Sequence, residues 1–358
     1  MEGEVKIAFT SDLHLTSLEK NPERFHAFES ILKCMISEKI QHLIIAGDLF
    51  DEDAQQYSDY EKIIKKIEYK NLKITIIRGN HDIGLRNGHI KGDNVTILDQ
   101  PTLLEESDMG INIFLVPYKY KKSFGEVFAE NKINTQPRTW ILVGHGDWLG
   151  GIRETNPYEH GIYMPLTSRD LLFHKPLITV LGHIHKPIDS DEVCIPGSPC
   201  GLDISESGLR SFLIFNTNDR QFTRKSIDTD FVYFNESIVV LPTPDEESYV
   251  KQKLFDMKKN WGIYDKDKSK VILRLKINGY CSNPKKIKTL VEKEMEEFTY
   301  YKNEEIDFSE MKISSDVEKN YIAEDIQKEI MDLELKSSEY EPSKEHILLS
   351  ALNVIFGK

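Results

Sequence analysis

The sequence predicts an α/β fold, and three observations carry the prediction. Over the first 200 or so residues, short apolar runs alternate with helical patterns. Five of those runs end in clusters of Asp, Asn and His. After "IPGSPCGLD" (195–203) the texture turns to β, then to a smaller mixed segment.

The expected strands are "VKIAF" (5–9), "HLIIA" (42–46), "LKITII" (72–77), "NIFLV" (112–116), "TWILV" (139–143) and "LITVL" (177–181). Residues 22–38 read as a helix, with Pro22 suited to a first helical position. Phe25, Phe28, Ile31, Leu32, Met35 and Ile36 form its apolar stripe. Residues 58–69 read as a second helix, capped by Ser58 with Glu61 three residues on. Thr167 and Asp170 repeat that spacing. "SFLIFNT", a polar turn at 218–220 and "QFTRKSI" (221–227) read as a hairpin. Further on, 242–247 reads as a linker or helix entry, "VILRLKI" (271–277) as a strand and 284–298 as a helix. The expected domains are 1–235, a small α+β segment at 236–310, and an acidic helical tail at 311–358.

Composition narrows the function classes. A chain of 358 residues with 39% hydrophobic content suits one large domain and a smaller one. No apolar run approaches the roughly 18 residues that span a bilayer. The N-terminal stretch carries early charges and no signal-peptide core, so a cytoplasmic, nucleoid-associated protein that is not secreted is expected. Cys34, Cys194, Cys200 and Cys281 are scattered without a CxxC pair, which argues against a disulfide framework or structural zinc. The net charge of −13 does not advertise nucleic-acid binding. The charge is uneven: residues 301–358 hold 7 Lys against 14 Asp and Glu, whereas 245–300 are mildly basic.

The strand ends carry the chemistry. Asp12 and His14 follow the first run, Asp48 the second, and Asn80, His81 and Asp82 the third. His145 follows "TWILV", and His183 and His185 follow "LITVL". Each could be explained singly as a turn or a core residue. Five of eleven histidines falling in such clusters could not, and the remaining six (26, 42, 89, 160, 174 and 346) take structural or surface roles. Ligands gather at the carboxyl ends of strands in open α/β sheets. Imidazole, carboxylate and amide donors without thiolate suit Mn²⁺, Fe²⁺ or Zn²⁺. Asp12, His14, Asp48, Asn80, His145, His183 and His185 are too many donors for one open site. They suit two ions about 3.5–4 Å apart, a centre for phosphoester hydrolysis.

These blocks (D-x-H, G-D, G-N-H-D, G-H and G-H-x-H, in this order) resemble the calcineurin-like metallophosphoesterase superfamily. The resemblance implies a four-layer α/β/β/α sandwich with a capping domain. It implies that Asp12, His14 and His185 hold one metal, that Asn80, His145 and His183 hold the other, and that Asp48 bridges them. It further implies that His81 is the catalytic histidine, oriented by Asp82, and that Mn²⁺ is the expected ion. "AGDLFD", "LGHIHKP" and "PGSPCGLD" followed by "SGLRSFLIF" resemble the SbcD and meiotic-recombination-eleven nuclease branch. That branch implies DNA ends or hairpins as substrate, an SbcC-like coiled-coil ATPase as partner for the tail, and a possible homodimer. A stand-alone phosphatase or phosphodiesterase is the alternative, motivated by the acidity. A non-catalytic scaffold is a third reading, but none of the expected ligands is missing.

Overall fold

The computed structural model describes residues 5–52, 57–106, 111–131, 139–150, 161–314, 316–333 and 343–357. It divides into two compact units, one of 1–202 with 210–230 and one of 203–209 with 231–358.

In the first unit, β1 (Lys6–Thr10), α1 (Pro22–Ser37), β2 (His42–Ala46), α2 (Ser58–Ile64), β3 (Lys73–Ile77) and β4 (Val95–Leu98) come first. They are followed by β5 (Thr102–Glu106), β6 (Ile111–Val116), α3 (Phe124–Asn131), β7 (Trp140–His145), α4 (Ser168–His174) and β8 (Ile178–Gly182). The short β9 (Ile188–Asp189) and β10 (Val193–Ile195) precede the hairpin β11 (Ser211–Asn216) and β12 (Gln221–Ser226). The strands form two six-stranded sheets, ordered β12-β11-β1-β2-β3-β4 and β5-β6-β7-β8-β10-β9. β1 to β4 run parallel, as do β6 to β8, so each set ends at one rim.

Alternation along the strands puts Ile7, Phe9, Ile44, Ala46 and Ile77 of one sheet in a shared core with Ile113, Leu115, Ile141, Val143 and Val180 of the other. The second sheet's opposite face packs Phe114, Trp140, Leu142 and Leu181 against Phe124, Val127 and Phe128 of α3 and Leu171 of α4. On the first sheet, Leu43, Ile45, Ile74 and Ile76 point the other way and are fully buried. The buried stripes of α1 and α2 supply that cover, with the Phe28 and Tyr60 rings 5.1 Å apart. Helix, sheet, sheet and helix are the four expected layers.

The helices depart from expectation in several places, and the one expected over 284–298 ends at Glu294. Ile36 stands 45% exposed, outside the buried stripe of α1. Ser58 is the first residue of α2, not its cap, and Tyr57 at the cap offers no side-chain bond. That helix ends at Ile64, five residues early, as the chain breaks into turns through Tyr69. By contrast, α4 opens on the complete Thr167–Asp170 capping box.

The second unit holds β13 (Val232–Val240), α5 (Glu246–Asn260), β14 (Val271–Cys281), α6 (Pro284–Glu294), β15 (Thr299–Tyr300) and β16 (Met311–Ile313). Two further helices follow, α7 (Val317–Asp332) and α8 (Lys344–Phe356). Its sheet is parallel around β14, which pairs with β13, β15 and β16. α5 and α6 bury Val250, Leu254, Ile287 and Val291 against it. Residues 236–310 and 311–358, which the sequence set apart, share this unit. Ala323, Ile330, Leu348 and Leu352 of the last two helices cluster with Val239, Leu241 and Tyr280. No helix among the described residues is long and apolar enough to cross a membrane.

Candidate metal centre

The parallel ladder explains how five loops meet. Beyond β1 and β2 the main chains stay side by side, with Asp12 N donating to Gly47 O (3.1 Å) and His14 N to Asp48 O (3.0 Å). Asp12 and His14, both beyond the end of β1, enter one cluster with His185. His145 is the last residue of β7, and its Nδ1 lies 2.9 Å from Ala46 O at the end of β2. One imidazole therefore links the rims of the two sheets.

This convergence accounts for the glycines before the donors. A Cβ at Gly47, where φ is +90°, would stand 2.1 Å from His145 Nδ1. A Cβ at Gly182 would stand 2.0 Å from Ala46 O. Only bare backbone fits where the sheets close. Asp12 (φ +54°), His14 (+45°), Asp48 (+50°) and His183 (+93°) also lie in the left-handed region that side chains avoid, as strained functional loops do.

All seven expected donors converge. Asp12, His14 and His185 form one cluster, and Asp48, His145 and His183 another, each offering ligand atoms within 4.8 Å of one another. His14 Nε2 and His185 Nε2 are 3.1 Å apart. Asn80 Oδ1 lies 2.9 Å from His145 Nε2 and 3.1 Å from His183 Nδ1, which places it with the second cluster. Asp48 sits between the clusters, with Oδ2 at 3.3 Å from His145 Nε2 and 3.7 Å from His14 Nε2. Its other oxygen accepts from His81 N (2.9 Å), and Asp12 accepts from His183 N (2.9 and 3.2 Å).

The donor set fits a pair of divalent cations. Asp48 Oδ2 is buried, with the imidazoles of His145 and His14 as near neighbours at 3.3 and 3.7 Å and no well-formed hydrogen bond, an expensive state for a carboxylate oxygen that a bridging role between cations relieves. Electrostatics agree. Burial pushes the Asp12 carboxyl up, against the pull of His185 and His145. Burial also resists ionisation of Asp48, yet His145 and His14 hold its carboxyl well below the usual range. Burial keeps His14 neutral, pushed down to about 3, with a lone pair to give. On His145, burial is outweighed by Asp48, which lifts the imidazole to about 9. A proton there occupies the place a cation would take.

His81 stands at the rim, its ring 4.7 Å from that of His14. Asp82 has a bracing role that the sequence did not suggest. Its carboxylate accepts from Gly79 N (2.7 Å) and Leu49 N (2.9 Å), tying the loops after β3 and β2. Burial and then the like charge of Asp48 push it up to about 7. Beside the His81 ring stands Asp51, with Oδ1 3.7 Å from Nδ1. The neighbouring His81 imidazole is the main cause that holds the Asp51 carboxyl below its ordinary value. Asp51 was visible in "GDLFD" but carried no role there. Asp147, also unassigned, lies 3.7 Å from His183 Nε2 and accepts from Tyr163 N. Among the other histidines, His42 bonds Thr75, His26 pairs with Asp230 and His174 packs on Phe128, while His160 lies outside the described residues.

Comparison with known proteins places these residues in context. The family described as calcineurin-like phosphoesterase matches residues 5–221. The DNA double-strand break repair protein Mre11 of Saccharolobus solfataricus is 26% identical over 215 residues, 54% of this chain and 54% of that protein. The SbcD subunit of nuclease SbcCD from Staphylococcus saprophyticus is 24% identical over 264 residues, 62% of this chain and 68% of its own. The uncharacterized metallophosphoesterase YhaO of Bacillus subtilis is 22% identical over 215 residues, 54% of this chain and 50% of its own. The chain thus spans about half the length of two of these relatives and about two thirds of the other.

Proposed function

The chain belongs to the calcineurin-like phosphoesterase family, whose fold binds two divalent metals and hydrolyses phosphoesters, and from that premise we propose that it is a two-metal DNA nuclease. In this reading it is the SbcD-like subunit of a double-strand-break repair complex with a coiled-coil ATPase. The observation that carries the chemistry is the convergence of all seven donors around Asp48.

Asp12, His14 and His185 would hold one ion, Asn80, His145 and His183 the other, and Asp48 both. When bound, such ions supply Lewis-acid charge to the phosphoryl group and lower the pKa of water; Mn²⁺ is the ion we propose. Every other task falls to the chain. His145 keeps Nε2 toward the centre because Nδ1 is engaged by Ala46 O. Asp51 at Nδ1 of His81 orients the ring so that Nε2 can pass its proton to the departing oxygen. Asp82 fixes the loop on which His81 rides. The His81 side chain is 20% exposed, so substrate can reach it.

DNA as substrate is supported by the two relatives whose names mark them as a break-repair protein and a nuclease subunit. For the ATPase, α7 and α8 leave Tyr321, Ile322 and Val354 exposed at 62, 50 and 83%, apolar surface suited to a partner helix. The net charge of −13 favours a second reading, a stand-alone phosphatase or phosphodiesterase on small substrates.

The test is Mn²⁺-dependent cleavage of linear duplex and hairpin DNA, with and without an SbcC-like ATPase, beside turnover of a small phosphodiester. DNA cleavage lost in His81→Asn supports the nuclease. Small-ester turnover with no DNA cleavage in any arrangement selects the second reading.

A further inference from the structure

Two of the three side chains in the first cluster have their main-chain carbonyls held by an arginine from elsewhere in the fold. Arg24, in the first turn of α1, donates from Nη1 to His14 O and lies 3.4 Å from Asp51 Oδ2. Arg210, just before β11, is 3% exposed and donates from Nη1 to His185 O (3.2 Å) and Ser198 Oγ (3.4 Å). Ser198 N gives the His185 carbonyl a further bond at 3.0 Å.

Burying guanidinium groups is costly, and a carbonyl is satisfied equally well by an amide or a water. What an arginine adds is a rigid, multi-donor clamp from a distant element. His14 and His185 need one. Both lie beyond the ends of their strands, and His14 is in left-handed backbone. Fixing a residue's carbonyl fixes its peptide plane, and with it the direction of the Cα–Cβ bond and the ring. The second cluster is built differently: His145 is still in the ladder opposite Gly182, and its own Nδ1 sets the ring.

We propose that Arg24 and Arg210 are positioning residues that aim His14 and His185, so that the ion site of Asp12, His14 and His185 depends on them and the other does not. The inference rests on the two-metal reading above. It makes no demand on which phosphoester is cleaved.

The test is a titration of the metal-free full-length chain with Mn²⁺ by calorimetry, and with Co²⁺ by visible absorption. The wild type takes up two ions. In Arg24→Ala and in Arg210→Ala, one uptake step keeps its affinity and the other weakens about tenfold to a hundredfold. Arg24→Lys and Arg210→Lys recover part of the loss, and they carry the test if an alanine variant does not fold. A Phe128→Leu control, destabilised in the core on the buried face of α3, leaves both steps unchanged. Unaltered affinities in both arginine variants overturn the proposal, as does equal weakening of both steps shared with the control. Fewer than two ions on the wild type overturns the metal-pair reading itself.

Discussion

Asp51 Oδ1 stands 3.7 Å from His81 Nδ1, so the loop after β2 supplies a carboxylate to the ring carried by the loop after β3. The pairing makes a kinetic prediction. Asp51→Asn removes the negative charge beside the ring and so weakens its orientation, and kcat falls about tenfold to a hundredfold while metal content stays at wild type. Steady-state kinetics with elemental analysis checks it, and a loss confined to KM would contradict it.

Asp48 is asked to do more. It lies between two imidazoles of different clusters, so in the proposed centre Asp48→Ala would remove a ligand from both ions. The expected result is loss of at least about three orders of magnitude in turnover, about 4 kcal/mol of barrier. Bound metal should drop below one ion per chain. A variant retaining both ions would show that the bridge is dispensable.

Metal removal has a thermodynamic signature. Ions that bind only the folded chain stabilise it by about 2.7 kcal/mol at a hundred times Kd. Chelation should therefore lower the melting temperature by a few degrees and abolish turnover, and restoring Mn²⁺ should recover both. Equal melting curves with and without chelator would count against a filled centre.

Glu236 supplies a pH test away from the centre. Burial raises its carboxyl above the ordinary value of 4.5, and Glu345 adds to this while Trp261 Nε1 (2.8 Å) opposes it. The folded chain thus holds that proton more firmly than the unfolded one. Its contribution is complete below the unfolded value and is lost as pH rises through the folded value. Glu236→Gln, which can still accept from Trp261, should melt progressively higher relative to wild type as pH rises above the ordinary carboxyl range. A pH-independent difference would remove the assigned cause.

The site was legible because each donor follows an apolar run by two to five residues, often across a glycine, and strand ends in parallel sheets share a rim. Gly47 and Gly182 stand directly before donors, but what they approach could not be read from there: His145 and Ala46 O are about 100 and 136 positions away. The resemblance pairs Asp82 with His81; the structure shows Asp82 accepting from Gly79 N and Leu49 N, and adds Asp51, from the loop after β2, beside the His81 ring. Arg24 and Arg210 left no signal, since a carbonyl acceptor is identical at every position. In the second unit, α5 showed only as a possible helix entry at 242–247, its buried Val250, Leu254 and Met257 being sparse among charges.

The most direct test of the metal pair is anomalous scattering from crystals grown with Mn²⁺. The account predicts two peaks per chain, one among Asp12, His14 and His185 and one among Asn80, His145 and His183, with Asp48 contacting both. A single peak, or peaks away from Asp48, would contradict it.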